Sequence, residues 1–136
     1  MANPTDSPAV TKPETTPMVL IVDDDPVLLK MYTEKFTFEG FKVITARDGE
    51  EALKLTEQGS PNIILLDIML PKMSGTDFLA RFRQTMKGKN TPVVALSNLT
   101  EAEERDKAIK LGVKEYLAKA MQTPEQVVEV VKKYII

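Results

Sequence analysis

Five side chains in this sequence are placed to do chemistry together if the fold brings them to one edge: Asp23, Asp24, Asp67, Ser97 and Lys119. Each follows or closes an apolar run. Met18 to Val22 stops at Asp23-Asp24-Asp25-Pro26, Asn62 to Leu66 at Asp67, Val93 to Leu96 at Ser97, and Val113 to Ala118 at Lys119. Singly, an acid after a strand reads as a helix cap or solvated group, Ser97 as a turn hydroxyl and Lys119 as a surface charge. Jointly they describe a phosphoryl-transfer site. Three carboxylates about 5 Å apart repel by roughly 3 kcal/mol per pair at an effective dielectric near 20, so the cluster invites a cation. Oxygen donors alone, in a chain with no histidine and no cysteine, favour Mg²⁺, with Mn²⁺ as a substitute. With charge neutralised, Asp67 is a nucleophile for phosphorus, and Ser97 and Lys119 are placed to hold two phosphoryl oxygens.

Composition removes the competing chemistries. Without cysteine there is no disulfide framework or thiolate, and without histidine zinc sites and Ser-His triads lose their usual residue. The 136 residues are 43% apolar and 28% charged, enough for one core and one domain. A formal charge of -2 gives no bulk attraction to nucleic acid or an anionic membrane, so neither direct DNA binding nor a membrane partner is expected. No apolar stretch is long enough to span a bilayer and no signal peptide is visible, which makes a cytoplasmic location the expectation.

The elements that position the five side chains follow from periodicity. Residues 1–17 carry Pro4, Pro8, Pro13 and Pro17 among polar residues and read as a flexible tail. Met18 to Val22 reads as a buried strand, Asp25-Pro26 as a cap and first turn, and Leu28, Leu29, Tyr32 and Phe36 as the inner face of a helix ending at Glu39-Gly40. Phe41 to Ala46 is a more polar, edge-like strand. Asp48 with Glu51 opens a helix through about Glu57, and Gly59-Ser60-Pro61 breaks it before the strand to Asp67. Ser74 starts a third helix, with Phe78, Leu79 and Phe82 on one face, closed at Lys87 to Asn90. Val93 to Ser97 is a fourth strand, Thr100 to Glu103 a capping box, Gly112 a C-cap, Val113 to Ala118 a fifth strand, and Thr123-Pro124 the start of a last helix with Val127, Val130, Val131 and Tyr134 inward. Five alternations of strand and helix predict an α/β three-layer sandwich with a parallel sheet, whose carboxyl ends share one rim.

Residues 18–136 resemble the receiver domain of two-component response regulators. The resemblance rests on Leu20-Ile21-Val22-Asp23-Asp24-Asp25-Pro26, on Leu66-Asp67-Ile68-Met69-Leu70-Pro71-Lys72-Met73-Ser74-Gly75, on Val94-Ala95-Leu96-Ser97 and on Tyr116-Leu117-Ala118-Lys119. It implies a flavodoxin-like, five-stranded sheet of order 2-1-3-4-5 with five helices, acting as a single-domain phosphoacceptor rather than an enzyme with a substrate of its own. It implies phosphorylation of Asp67 by a sensor histidine kinase or phosphotransfer protein, and a metal held by Asp23, Asp24, Asp67 and the Met69 carbonyl. Ser97 and Lys119 would contact the phosphoryl group, and Tyr116 would turn inward as Ser97 moves. A downstream protein would dock on the helix 4, strand 5, helix 5 surface.

The sequence departs from that family at Ala120 and Asn98, and carries Met69 and Leu99 at two of its variable positions. Ala120 follows Lys119 where proline on a cis peptide is usual; either a non-proline cis bond persists at about 3 kcal/mol or the loop relaxes to trans. Asn98 replaces a small residue. Met69 and Leu99 are apolar at positions that influence hydrolytic water, so a slowly lost Asp67 phosphate is expected. Two other functions fit less of the chain: a receiver-like scaffold that accepts no phosphate, and an aspartyl-phosphate phosphohydrolase. Against the latter, Met69 stands where a second acid is needed two residues after Asp67, and no general acid or cap domain is apparent.

Overall fold

The computed structural model describes residues 16–98 and 102–135. Nearly all of the proline-rich segment expected as a tail over 1–17 lies outside them, as do Leu99 and the capping residues Thr100 and Glu101. The elements alternate as β1 (Met18–Val22), α1 (Pro26–Phe38), β2 (Lys42–Ala46), α2 (Gly49–Gln58), β3 (Ile63–Leu66), α3 (Gly75–Phe82), β4 (Val93–Ser97), α4 (Ala102–Lys110), β5 (Glu115–Ala118) and α5 (Pro124–Lys132). All strand pairings are parallel, and the sheet order is β2-β1-β3-β4-β5. This is the expected order. The chain steps from β1 out to β2, then returns to β3 on the other side of β1, so the crevice at the carboxyl ends opens between β1 and β3.

Strand alternation divides the core into two layers. Val19, Ile21, Ile63, Leu65, Val94 and Leu96 face α1 and α5, where they meet Leu29, Tyr32, Phe36, Val127, Val128 and Val131. Leu20, Val22, Ile64, Leu66, Val93 and Ala95 face α2, α3 and α4, where they meet Ala52, Phe78, Leu79, Phe82 and Ala108. Covered on both faces, β3 is apolar throughout and wholly buried. The outer strand β2 is mostly half-exposed, as an edge permits.

Local chemistry starts and stops the helices. The Asp25 carboxylate accepts from the N–H groups of Val27 and Leu28, with Pro26 at the first helical position. Asp48 accepts from Glu51 N–H, but the Glu51 carboxylate reaches Arg47 N–H, one residue before the expected partner. Gly112 follows α4 with φ +83°, the left-handed conformation a C-cap glycine adopts. Thr123 and Gln126 form a complete capping box on α5.

Two expectations need correction. α3 ends at Phe82 rather than near Lys87, because Thr85 turns back: its N–H and its hydroxyl both donate to the Phe82 carbonyl, at 3.0 and 2.7 Å. On α5, Val128 is fully buried while Val130 is only half-buried, since the helix packs against α1 as well as the sheet. Among the described residues no helix is long and apolar enough to cross a membrane.

Candidate functional site

Register makes Asp23 and Asp67 neighbours. Val22 pairs with Leu66, and the ladder runs one residue further on each strand: Asp67 N–H donates to the Val22 carbonyl at 2.9 Å and Asp23 N–H to the Ala46 carbonyl at 3.0 Å. Both acids therefore emerge side by side at the rim, 4% exposed each. Asp24, in the loop after β1, is exposed, yet one oxygen from each of Asp23, Asp24 and Asp67 lies within 4.8 Å of the others. The expected carboxylate cluster is present. Loop amides fix its orientation, Asp25 N–H donating to Asp23 Oδ1 at 2.9 Å and Met69 N–H to Asp67 Oδ1 at 3.1 Å.

Lys119 closes the cluster from β5. Its ammonium lies 2.9 Å from Asp67 Oδ2 and 3.0 Å from Asp23 Oδ2, bridging two acids that would otherwise repel across a buried gap. The short 3-10 turn that Lys119 opens, over Lys119–Met121, contains Ala120, and the lysine is seated on both acids without a proline after it. Burial pushes the Asp67 carboxyl above the usual carboxylate range, outweighing the pull of the Lys119 ammonium. Burial would also lower Lys119, but its hydrogen bonds to Asp67 and Asp23 outweigh that and hold it above the ordinary lysine value.

The other residues singled out from the sequence stand around this cluster. Ser97 ends β4, 2% exposed, and among the described residues its hydroxyl has no hydrogen-bond partner. A buried polar atom left unpaired is uncommon and asks for a ligand. Met69 is 47% exposed, and among the described residues its carbonyl accepts no hydrogen bond. Tyr116 is half-buried on β5, beside Ala95 in the register, and packs against the α2-α3-α4 layer. All four strand ends named from the sequence thus share the rim, with Lys119 directly on the acids.

These donors suit a hard divalent cation. Three carboxylates offer oxygen ligands within reach of one another, the Met69 carbonyl accepts no hydrogen bond among the described residues, and the chain has no cysteine or histidine to compete. The arrangement also suits a tetrahedral anion beside Asp67, where an ammonium and an unpaired hydroxyl would meet its oxygens.

Three contributors were given no role at the site from the sequence. Gly75 packs so closely under the loop that a Cβ there would stand 2.6 Å from Ile68 Cα and closer still to the Asp67 carbonyl oxygen. Thr76, in the first turn of α3, is buried and donates its hydroxyl to Glu104 on α4 at 2.5 Å, while also 3.2 Å from the Ser74 hydroxyl. Tyr32, read as core, lies near enough for Asp23 to help burial raise its phenol. Only Gly75 had a sequence signal, its place after the Ser74 cap.

The family model of the response regulator receiver domain matches residues 19–132. Among curated proteins the transcriptional regulatory protein CpxR of Escherichia coli is 39% identical over 112 residues, 82% of this chain and 47% of CpxR. The chain therefore spans about half the length of the curated transcriptional regulators it matches. Among solved structures, the chemotaxis protein CheY4 of Vibrio cholerae superimposes with a TM-score of 0.81 at 28% identity, covering 88% of this chain and 98% of that one. The receiver domain of the Pseudomonas aeruginosa sensor histidine kinase PA1611, described with a magnesium ion coordinated in its active-site cleft, gives a TM-score of 0.80 at 24% identity, over 88% and 98% of the two chains. At that identity the likeness speaks to fold.

Proposed function

The chain belongs to the response regulator receiver family, and on that premise we propose that Asp67 accepts a phosphoryl group from a phosphohistidine on a sensor kinase or phosphotransfer protein. The observation that carries the proposal is the Asp67 carboxylate itself, buried, fixed by Met69 N–H and gripped by Lys119, with Asp23 and Asp24 within 4.8 Å. Mg²⁺, when bound by Asp23, Asp24, Asp67 and the Met69 carbonyl, supplies the positive charge that lets an anionic donor approach.

The chain's own residues do the rest. The Met69 amide orients one Asp67 oxygen, and the other forms the new O–P bond as the donor's N–P bond breaks. The electron pair of that bond returns to the partner's imidazole, which takes a proton from solvent. Lys119 and the Ser97 hydroxyl hold phosphoryl oxygens as charge shifts onto them. In keeping with the receiver family, the chain acts as a phosphoacceptor rather than a turnover enzyme. Met69 puts an apolar side chain at the rim in place of a group that would position water, and the phosphate is lost slowly.

Readout follows from what Ser97 pulls on. Engaging a phosphoryl oxygen biases β4's end, and half-buried Tyr116 alongside it fills the space vacated. α4 is loosely held, with Ala108 its one buried side chain among the described residues and the Thr76 hydrogen bond tying it to α3. The α4, β5 and α5 surface is where a downstream protein docks. Incubation with acetyl phosphate and Mg²⁺ tests the proposal. Wild type takes up one phosphoryl group by intact mass and Asp67→Asn takes up none; equal uptake in the two overturns it.

A further inference from the structure

We propose that a basic basin at the opposite end of the sheet from Asp67 binds a small polyphosphate anion of the di- or triphosphate class. The basin, about 400 Å³, is lined by Arg83, Lys89, Asn90, Thr91, Lys110, Leu111, Gly112 and Lys114. Its volume falls within the roughly 300–1,000 Å³ of small-molecule sites. These residues lie at the end of α4 and just before β4 and β5, at the strands' amino ends. The site is thus separate from the carboxyl-end rim.

Four cations and no carboxylate line it. Lys89, Lys110 and Lys114 make no ion pair among the described residues, as is also true of Lys30, Lys42, Lys54 and Lys87, but only in the basin do three such lysines line one hollow with an arginine. Such a concentration of unneutralised charge produces a focused positive field. Arg83 anchors it. Its Nε donates to the Leu111 carbonyl at 2.8 Å, its Nη1 to the carbonyls of Gly88 and Thr91 at 2.8 and 2.6 Å, and its Nη2 to Gly112 at 3.2 Å. These bonds hold the guanidinium rigidly and satisfy four of its five donors without cancelling its charge. The fifth, on Nη2 beside Gly112, has no protein acceptor among the described residues. Just past the end of α4, two carbonyls that would repel an anion, those of Leu111 and Gly112, already accept from Arg83.

The basin's shape selects the ligand. A polyphosphate presents several anionic oxygens within a few ångströms, matching four cations around one hollow, whereas the carboxylates of an acidic peptide are spread along a backbone and need a groove. Binding here is independent of Asp67 chemistry.

The test is an amide NMR titration of the full chain with sodium tripolyphosphate in EDTA, with inorganic phosphate and hexaglutamate as competitors. Tripolyphosphate is expected to shift the amides of Lys89, Asn90, Gly112 and Lys114, and to bind at least tenfold tighter than inorganic phosphate. Lys110→Glu with Lys114→Glu weakens it at least tenfold, Lys110→Arg with Lys114→Arg retains it, and Asp67→Asn leaves it unchanged. Arg83 is left alone in these variants because its carbonyl bonds hold the turn together. No shift at 10 mM ligand (on the order of the weakest useful affinity), shifts centred on the acidic rim, an affinity no better than phosphate, or tighter binding of hexaglutamate would each overturn the proposal.

Discussion

Replacing Lys119 by Met keeps the length of the side chain and deletes its charge. Asp67 and Asp23 then face each other with side chains 5% and 6% exposed and no cation between them. At 2.9 and 3.0 Å and an effective dielectric near 20, each lost attraction is about 6 kcal/mol gross. Much of that returns, because the lysine no longer has to be desolvated; breaking a buried pair typically costs about 3–5 kcal/mol net. Proton uptake caps the loss. Protonating one carboxyl of ordinary pKa near 4 at pH 7.5 costs about 5 kcal/mol, at 1.36 kcal/mol per unit. With the lysine 17% exposed, a net loss of about 3 kcal/mol is expected, or roughly 10–15 °C in Tm for a domain of this size. The assay is thermal and urea unfolding of both proteins at pH 7.5 in EDTA, repeated at pH 5 and in 10 mM Mg²⁺ (about the concentration needed to load a weak site). The deficit should shrink at pH 5, where one acid takes up its proton more cheaply, and Mg²⁺ should stabilise the variant more than wild type. Equal stability of the two proteins in EDTA at pH 7.5, or an identical Mg²⁺ increment, refutes the electrostatic account of the site.

Asp67→Asn probes the same charge from the other side. Because the folded Asp67 carboxyl lies above its ordinary value, its contribution is fully present below the unfolded pKa and is lost as pH rises through the folded one. Asparagine stays neutral throughout, so in EDTA the variant gains on wild type as pH climbs from 4 to 7.5; a constant difference in urea midpoint across that window contradicts the shift. Glu39, Glu104, Glu115 and Glu125 are shifted the opposite way, lose stability on acidification and act alike in both proteins, so the difference isolates Asp67. Gly75→Ala forces a methyl group against the backbone of Asp67 and Ile68, which cannot rotate away. It should cost about 1–3 kcal/mol and slow acetyl phosphate labelling, and a variant with wild-type stability and labelling would show that the loop yields freely. Thr76→Val removes the donor to Glu104 and should cost about 1 kcal/mol, since the acid is partly solvated. Hydrogen exchange should quicken in 102–110 and leave α5 unchanged.

What could be read from the sequence is what parallel topology guarantees. Once the apolar runs are strands of one parallel sheet, Asp23, Asp67, Ser97 and Lys119 share an edge whatever the details, and β1 and β4 lie where their apolar runs begin and end. Side-chain reach was not legible in that way. That Lys119 touches both acids depends on contacts 52 and 96 residues apart in sequence, and the Thr76 to Glu104 hydrogen bond spans 28. The Arg83 clamp was invisible because its acceptors are carbonyls, which carry no sequence signature. The end of α3 was misplaced because Arg83-Gln84-Thr85-Met86 is compatible with helix, and a single hydroxyl bonding back to Phe82 decides otherwise.

The charge count at the rim explains why one lysine is there at all. Three carboxylates and the Lys119 ammonium leave two negative charges, the amount one divalent cation neutralises. Phosphorylation replaces the single charge of Asp67 with about two on the phosphoryl oxygens, one more than the carboxylate held. Of the hydrogen-bond donors named around Asp67, the Ser97 hydroxyl is the one that has no partner among the described residues. Under the proposed phosphorylation it is therefore where the added charge would find a new hydrogen bond, and where a change at Asp67 would be passed to the end of β4.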